Sequence, residues 1–494
     1  MNAASCFDTR ARRDPGAPAL RWHDGSLTYG ELAERARRAA TVFAACGISA
    51  GDRIALLLPN DPNFAIALLG ALWLGAVPAV LSPAWHPADA ASALADADAG
   101  VLVTTREAAT ALPFLPAHSF TVGGAGELGS FELAIDGTSA DGCTSPLPRQ
   151  TTDEACILYS SGTTGKPKGV LLSHGNLVFN ADAKRRYCGI APRDALALVV
   201  PIAHCFGQNV VLLGSLSAGA MVRMFVRFDA HELLAAISAG EVTHLLAVPT
   251  VFDRLLGAED AEPLRLLRCA LSAAAPLSPT LARRWRLRTG VPLRQGYGLT
   301  ESSPFATYHA GDHDEESCVG EPIDGVDVRI GEIGGDGWVA DGAAGEIVIR
   351  GPNVMLGYWR RPADTARALR GGWLRTGDFG RRSPAGEIHL LDRLDDAINV
   401  SGFKVYPSDV ERALRSHDAV AEVAAYRLPD ARCGWQVAVD VVAAPGAALD
   451  LAEVHAVARH RLAAFQRPAV VRLVASLPRS PSGKVLRRLL TANG

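Results

Sequence analysis

An uncharged run of eighteen residues, Phe64 to Leu81, narrows the choice of fold more than any other part of this 494-residue chain. Its length is near the lower limit for a helix that crosses a bilayer. Gly75 and Pro78 interrupt the run and divide it into a helix of about residues 62–74 and a strand of about residues 77–81. We therefore predict a buried helix and strand of a globular core, and no membrane span.

Helix and strand patterns alternate around this run. Thr28 and Glu31 have the spacing of a capping box before a helical pattern that Gly47 ends, and a strand pattern follows at about residues 53–58. Such alternation is typical of an α/β fold, in which helices cover both faces of largely parallel sheets. We predict this fold class for the large N-terminal part of the chain.

The pattern changes beyond residue 330. Short strand patterns between glycine turns predict a small β-rich section there. The residues after it predict two helices, at about residues 407–416 and 451–463, and two strands, at about residues 420–427 and 436–443. They indicate a separate compact α+β domain that acts as a lid.

Composition excludes several classes of function. Hydrophobic residues make up 48% and charged residues 20%, with a formal net charge of −3, as in ordinary globular proteins. No domain-sized stretch is strongly basic, so we expect no nucleic-acid partner. The nine cysteines form no Cys-x-x-Cys pair, which argues against a zinc cluster or a disulfide framework. Neither end resembles an export or targeting signal, so we expect a cytoplasmic protein.

The segment from Tyr159 to Val170 is rich in glycine and hydroxyl residues and carries two lysines. Apolar runs on both sides predict that it joins two strands as a hairpin-like flap. Its backbone amides and hydroxyls can donate to phosphate oxygens, and the spacing is not that of a Walker A loop, since Pro167 replaces the Walker hydroxyl. The alternative is a polar surface loop. The candidate phosphate-binding residues are Ser160, Ser161, Gly162, Thr163, Thr164 and Lys168.

Residues 295–301, Gln-Gly-Tyr-Gly-Leu-Thr-Glu, form a second cluster. Tyr297 can stack on a purine, and Thr300 can donate to a phosphate. Glu301 can supply a hard oxygen ligand to Mg²⁺, which binds through one or two carboxylates plus substrate phosphates. The alternative is a strand-end turn in which Glu301 is a solvated charge.

Three single residues also stand out, each with a simpler alternative. Asp378 follows a strand pattern, where a carboxylate can bind ribose hydroxyls or cap a turn. His204 lies in an apolar segment, residues 201–207, and a core histidine is its simpler interpretation. Lys484 lies in a turn near the chain end, where a solvated basic tail is the alternative.

In their residues and in their order along the chain, these clusters resemble the motifs of the adenylate-forming superfamily. This superfamily includes acyl-CoA synthetases, peptide-synthetase adenylation domains and firefly luciferase. The resemblance covers essentially the whole chain. It implies an N-terminal domain of residues 1–394 that binds ATP and the acid, and a C-terminal lid domain of residues 395–494 that swings about a hinge at Asp395. The matching segments are residues 159–170, 201–207, 295–301, 345–351, 376–378, 392–411 and 482–484.

In such enzymes a carboxylate attacks the α-phosphate of Mg-ATP to give an acyl-adenylate and pyrophosphate, and a thiol then displaces AMP. By this resemblance Lys484 is the catalytic lysine and His204 faces the acyl carboxylate. Thr300 and the flap hydroxyls hold phosphates, Glu301 holds Mg²⁺, and Gly402 lets a pantetheine arm pass. The nucleotide-binding residues implied for ribose and adenine are Asp378, Arg393, Tyr297, Ala274, Ala275 and Pro276.

The acid is predicted from pocket positions. Cys205 stands where amino-acid-adenylating relatives have aspartate and hydroxybenzoate enzymes have asparagine. Gly296, Gly298 and Ala203 predict a pocket for an apolar acid. Residues 400–407 are most similar in sequence to fatty acyl-CoA ligases. We therefore predict that the substrate is a medium- or long-chain fatty acid, and that an aryl or arylalkanoic acid is the second candidate.

The predicted function is that of an acid–thiol ligase of fatty acid metabolism that uses ATP, Mg²⁺ and coenzyme A. Two alternatives remain open. One is an adenylating enzyme that loads the phosphopantetheine arm of an acyl carrier protein or oxidises its adenylate. The other is a degenerate nucleotide-binding protein without turnover, which the presence of Lys484, Glu301 and Asp378 argues against.

Overall fold

The computed structural model describes residues 1–124, 128–160, 167–311, 317–400, 403–430, 434–479 and 485–491. The chain divides into two compact units. The first unit comprises Met1–Val328 and Val348–Thr376, and the second comprises Arg329–Ile347 and Gly377–Gly494.

The strands are β1 (Pro18–Trp22), β2 (Gly25–Thr28), β3 (Arg53–Leu57), β4 (Val77–Val80), β5 (Val101–Thr105), β6 (His118–Val122), β7 (Gly129–Ser130), β8 (Glu154–Ser160), β9 (Lys168–Ser173), β10 (Ala195–Leu198), β11 (Met221–Met224), β12 (His244–Ala247), β13 (Cys269–Ala273), β14 (Leu293–Tyr297), β15 (Thr307–His309), β16 (Cys318–Pro322), β17 (Asp327–Gly331), β18 (Ala344–Arg350), β19 (Gly357–Tyr358), β20 (Leu369–Arg370), β21 (Trp373–Arg382), β22 (Ile388–Arg393), β23 (Ile398–Val400), β24 (Phe403–Val405), β25 (Val420–Asp430), β26 (Gly434–Ala443) and β27 (Val470–Leu473).

The α-helices are α1 (Ala4–Arg13), α2 (Tyr29–Ala45), α3 (Pro62–Leu74), α4 (Pro87–Ala97), α5 (Arg106–Ala111), α6 (Phe131–Asp136), α7 (His174–Cys188), α8 (Gly214–Ala218), α9 (Ala230–Ser238), α10 (Pro249–Leu256), α11 (Pro279–Thr289), α12 (Pro362–Ala368), α13 (Pro407–Leu414), α14 (Leu451–Arg461) and α15 (Arg487–Thr491). A π-helix spans Phe206–Leu213. Short 3-10 turns span Glu262–Leu266, Thr300–Ser302, Leu394–Asp396 and Ala464–Gln466.

The first unit is built on two sheets. One has the strand order β19-β9-β8-β4-β3-β5-β6-β7, and its strands run parallel except at the β8–β9 and β9–β19 pairs. The other contains the run β16-β15-β14-β13-β12-β10-β11-β1-β2, which is parallel from β14 to β1. The predicted α/β class with parallel-rich sheets is confirmed.

Helix α3 and strand β4 account for the uncharged run. Pro62 occupies the first turn of α3, the Asp61 side chain accepts a hydrogen bond from the Asn63 amide, and Gly75 ends the helix at φ 74°. Every residue from 63 to 73 is buried, because the helix is apolar on all sides and packs inside the unit. In the described part of the chain, no helix has both the length and the apolar character needed to span a membrane.

Helix α2 begins at the predicted capping box. The Thr28 side chain accepts a hydrogen bond from the Glu31 amide, and the Glu31 carboxylate accepts one from the Thr28 amide. A capping box satisfies two helix N–H groups that would otherwise lack partners. This local chemistry explains why the start of the helix could be read from the sequence.

The second unit contains a sheet in the order β24-β23-β26-β25, with β27 paired to β26. Helices α13 and α14 cover it, and apolar residues such as Ile398, Val410 and Val454 form a buried core. The two helices and two strands predicted for this part of the chain are present. The division into compact units places residues 329–347 and 377–394 with the C-terminal residues. The domain boundary after residue 394 and the hinge at Asp395 stay predictions.

Candidate active site

The predicted phosphate-binding flap lies between two antiparallel strands. β8 and β9 pair as far as Ser160 opposite Lys168, so the segment between them closes a hairpin. This agrees with the prediction that the segment joins two strands, and it differs from a Walker A loop, which opens a helix. Ser161, Gly162, Thr163 and Thr164 lie outside the described residues, as does the side chain of Ser160.

At the base of the hairpin, Lys168 and Glu301 contact the same tyrosine. The Lys168 Nζ atom lies 5.6 Å from the centroid of the Tyr358 ring and 3.5 Å from the Asp364 carboxylate. The Tyr358 hydroxyl donates a hydrogen bond of 2.8 Å to Glu301 Oε1. A cation and a carboxylate predicted to serve the same triphosphate are therefore neighbours within the first unit.

Glu301 fits the role of a magnesium ligand. Tyr358 orients one of its carboxylate oxygens, Oε1, while Oε2 has no hydrogen-bond partner among the residues that the structure describes. The side chain is half-buried. Mg²⁺ is bound in nucleotide sites by one or two carboxylates together with phosphate oxygens, and an oriented carboxylate with one uncommitted oxygen suits such an ion.

Thr300 links this carboxylate to the histidine segment. Its Oγ1 atom lies 3.4 Å from the Cys205 Sγ atom. The turn that carries Thr300 follows directly after β14 and requires Gly298, because a Cβ atom there would lie 2.0 Å from the Pro304 carbonyl oxygen. The missing side chain of Gly298 thus makes room for that carbonyl group.

His204 sits in a tight turn between β10 and the π-helix. Its Nδ1 atom accepts a hydrogen bond of 3.2 Å from the Phe206 amide, which places the proton of the neutral ring on Nε2. A Cβ atom at Gly207 would lie 2.3 Å from the Pro201 carbonyl oxygen, so the turn closes only with glycine at that position. The imidazole is half-buried.

Buried Asn60 holds the strand end before this turn. Its amide nitrogen donates to the carbonyl oxygens of Val200 and Phe225, at 3.1 and 2.9 Å. Its Oδ1 atom accepts from the Ile202 amide at 2.7 Å. These three bonds fix the backbone on which His204 is carried, so Asn60 is a positioning residue.

The residues predicted for adenine lie at neighbouring strand ends. Ala273, the last residue of β13, is in parallel register with Gly296 of β14, and Tyr297 follows. Ala274 adopts φ +67°, a left-handed conformation that is unfavourable for residues other than glycine. Such strain concentrates at ligand-binding sites. Half-buried Ala275 and exposed Pro276 continue this strand-end segment.

In the second unit, Asp378 and Arg393 face each other across β21 and β22. They are opposite in register, and Arg393 Nη1 lies 2.7 Å from Asp378 Oδ1. The Asp378 residue is 5% exposed. Gly377 adopts φ +70° and its amide donates to Glu346 Oε1 at 3.0 Å. The structure therefore brings the two predicted ribose ligands together.

Lys484 and Gly402 lie outside the described residues. The chain on either side of Lys484 is well anchored. Arg479 and Val485 form an antiparallel bridge. Arg487 pairs with Glu411 and Asp396 at 2.7 and 2.9 Å. Burial lowers the pKa of Arg487, but these carboxylates together outweigh burial and raise it.

The chain matches the family model of AMP-binding enzymes over residues 7–359 and the model of their C-terminal domain over residues 409–484. The chain is an AMP-binding enzyme. The predicted membership of the adenylate-forming superfamily is thereby confirmed.

Known proteins resemble this AMP-binding enzyme over almost their full length. It is 35% identical to a feruloyl-CoA synthase from Amycolatopsis over 97% of this chain and 96% of that protein. It is 29% identical to a long-chain-fatty-acid–CoA ligase from Bacillus subtilis (strain 168), over 98% of this chain and 93% of that protein. The crystal structure of ATP-bound MatB from Rhodopseudomonas palustris superimposes with a TM-score of 0.92 and 31% identity, over 100% of this chain and 99% of that one.

These relatives are named CoA ligases or synthetases, and the enzyme class predicted from the sequence, an AMP-forming acyl-CoA synthetase, is confirmed. ATP and CoA are the co-substrates of this class, and Mg²⁺ accompanies the ATP. The acid that is named differs between the relatives, since one is a feruloyl-CoA synthase and another a long-chain-fatty-acid–CoA ligase.

Sequence reasoning missed Tyr358, Asn60 and Glu346. Tyr358 lies 57 residues from the carboxylate that it contacts, and no local pattern connects them. Asn60 gave a weak signal, since an asparagine beside an apolar run is often buried with full hydrogen bonding. Glu346 lies in a matching segment, residues 345–351, but its partner at Gly377 is visible only in the fold.

Proposed function

We propose that this AMP-binding enzyme activates a carboxylic acid with Mg-ATP to an acyl-adenylate and transfers the acyl group to coenzyme A. The contact between Thr300 and Cys205 carries this proposal. It joins the segment assigned to the phosphates to the segment assigned to the acid. Two anions have to meet in the first half-reaction, so the phosphate and acid sites must be adjacent.

In this proposal the first unit binds the triphosphate and the acid. The flap, Lys168 and Thr300 bind phosphate oxygens, and Glu301 holds Mg²⁺, which neutralises charge on the phosphates. His204 faces the acid carboxylate through Nε2, the ring atom that remains a donor when Nδ1 accepts from Phe206. Oriented donors on the phosphate oxygens stabilise the negative charge that grows there in the transition state, whereas a His204 donor would orient the attacking carboxylate.

The second unit supplies the other groups. Asp378 and Arg393, already paired, are proposed to bind the ribose hydroxyls. Lys484 is proposed to stabilise the charge that develops as pyrophosphate leaves. Gly402 is proposed to pass the pantetheine arm in the second half-reaction. The domain boundary after residue 394 and a hinge at Asp395 belong to the same proposal.

Two classes of acid are candidate substrates. A medium- or long-chain fatty acid is the first candidate, because residues 400–407 are similar in sequence to fatty acyl-CoA ligases. An aryl acid is the second candidate, and the similarity to a feruloyl-CoA synthase favours it. Loading of an acyl carrier protein instead of CoA remains the alternative for the acceptor.

A panel of fatty and aryl acids with Mg-ATP tests the proposal. We expect pyrophosphate release that depends on the acid, and thioester formation when CoA is added. Release without any thioester would favour carrier-protein loading. No release with any acid would favour a nucleotide-binding protein without turnover.

A further inference from the structure

A lysine of α7 is enclosed in the first unit without an anionic partner. Lys184 is 2% exposed. It makes no hydrogen bond or ion pair with the residues that the structure describes; its contact is with the face of the Phe305 ring, whose centroid lies 3.2 Å from Nζ. Its neighbours in sequence differ, since Arg185 and Arg186 pair with Asp182 at the surface, at 2.8 and 3.0 Å.

This arrangement is costly unless a further group takes part. An ammonium group carries three donors, and each buried donor without a partner costs about 1–3 kcal/mol. A desolvated cation–π contact returns only about 2 kcal/mol. Burial lowers the pKa of Lys184 to about 8, with the Cys188 and Cys269 thiols acting in the opposite direction. At neutral pH the side chain is thus still mainly protonated.

The ammonium group lies beside the acid-pocket position read from the sequence. A Cβ atom on Gly296 would lie 3.4 Å from Lys184 Nζ and 3.3 Å from the Phe305 ring. Gly296 directly precedes Tyr297 and is in register with Ala273 on one side and Tyr308 on the other. The absent side chain of Gly296 therefore lets the ammonium group and the Phe305 ring lie directly against the site strand.

A cluster of aromatic rings adjoins the ammonium group. Phe305 packs edge-on against Tyr187 at 5.7 Å and against Tyr308 at 6.4 Å between ring centroids. An acid whose far end is a methyl group would leave the ammonium group without an acceptor. A flat or extended acid with an oxygen at its far end would contact the rings and supply that acceptor.

We propose that Lys184 determines substrate choice by binding an oxygen acceptor, either a phenolic or a carboxylate oxygen, at the end of the acid remote from the reacting carboxylate. This inference rests on the proposed function and refines its substrate class. It selects acids with a polar far end over simple fatty acids. The competing explanation is that the ammonium group has a partner inside the protein. Cys188, four residues further along α7, would accept a hydrogen bond from Lys184 if it were a thiolate.

The test compares matched pairs of acids. One series sets dicarboxylates against monocarboxylates of the same carbon number, and the other sets 4-hydroxycinnamate against cinnamate. The measured quantity is the ratio of kcat/KM for the oxygen-bearing acid to kcat/KM for its apolar match, from pyrophosphate release. We expect a ratio above one in at least one series for the unmodified enzyme, and the series that shows it identifies the oxygen.

Lys184→Met is the diagnostic variant and Cys188→Ala the matched control. We expect Lys184→Met to lower the ratio about 10- to 100-fold, as loss of a charge-assisted hydrogen bond does, while activity on the apolar acid is kept. Cys188→Ala should leave the ratio unchanged. An unchanged ratio in Lys184→Met, or an equal fall in Cys188→Ala, overturns the inference.

The unmodified enzyme provides a test that needs no variant. If it prefers the apolar member of every pair, the inference is wrong even where the lysine variant fails to fold. Activity on apolar acids would in that case leave the proposed ligase function intact. Failure of every acid to release pyrophosphate would instead count against the ligase function itself.

Discussion

At the scale of single residues, the site depends on side chains that orient other side chains. Tyr358 holds Glu301 Oε1 at 2.8 Å and presents its ring to Lys168. Residues that hydrogen-bond a metal ligand typically change metal affinity or activity about 10- to 100-fold when they are replaced. Tyr358 is therefore as informative a target as the proposed ligand.

The first prediction concerns Tyr358→Phe. Loss of the hydroxyl leaves the Glu301 carboxylate without its orienting donor, so we expect the Mg²⁺ concentration for half-maximal adenylation to rise about 10-fold. The measurement is pyrophosphate release against Mg²⁺ at saturating ATP. Tyr426→Phe is the control, since Tyr426 also donates to a carboxylate, Asp440, at 2.7 Å. An equal shift in both variants would argue against the role of Glu301.

At the scale of elements, helix α7 combines surface and interior functions. Its first residue, His174, is fully buried, and Nδ1 accepts a hydrogen bond from the Ala3 amide at 3.0 Å. Burial, and after it the charge of Arg149, lower the pKa of His174 to about 4. The unfolded chain has a histidine pKa of about 6.5, so the unfolded state binds this proton more readily.

The second prediction follows from the direction of this pKa shift. Because the folded pKa lies below the unfolded one, stability is complete above about pH 6.5 and is lost as the pH falls toward 4. We expect His174 to account for about 2 kcal/mol of the loss in unfolding free energy between pH 8 and pH 5. Urea unfolding of His174→Asn should show a correspondingly smaller loss, since asparagine can still accept from Ala3.

His231 provides the control for this experiment. It is exposed on α9, so His231→Asn should keep the pH dependence of the unmodified protein. If the unfolding free energy of His174→Asn depends on pH as steeply as that of the His231 variant, other groups govern acid unfolding.

At the scale of the whole molecule, the proposal assigns one reaction to groups from both compact units. Lys484 is the group whose role distinguishes the two half-reactions. Only the first half-reaction develops charge on a departing pyrophosphate, whereas the second begins from the finished adenylate.

The third prediction is that Lys484→Ala mainly abolishes adenylation and leaves thiol attack on a supplied acyl-adenylate intact. Removal of one such stabilising group typically costs about 10²- to 10³-fold in rate. Adenylation is read from pyrophosphate release and thiolation from CoA thioester formation. Arg459→Ala, which removes an exposed cation of α14, should leave both rates unchanged. Equal loss of both half-reactions in the lysine variant contradicts the assigned role.

Local chemistry explains which parts of the fold were predictable. The ends of α3 are set by Asp61, Pro62 and Gly75, and the start of α2 by a capping box, all within a few residues of sequence. The hairpin under the flap follows from apolar runs on both sides of a glycine-rich turn. These features need no knowledge of distant residues.

Contacts between distant residues explain the rest. Lys184 stands in a run of three basic residues, Lys-Arg-Arg, and such residues are mostly exposed in proteins. Only the packing of α7 turns Lys184 inward while its two neighbours pair with Asp182. Likewise, the sequence described Gly296 as part of an apolar pocket, and the fold places an ammonium group beside it.

The amino-acid sequence by itself determined the α/β class, the order of the motifs and the adenylate-forming family. It could do so because caps, turns and hydrophobic periodicity act between near neighbours. The tertiary structure alone decided that Tyr358 meets Glu301, that Asn60 carries the His204 turn, and that Lys184 faces Gly296. Each of these pairs is brought together by chain folding over long separations, and periodicity within a segment holds no information about such partners.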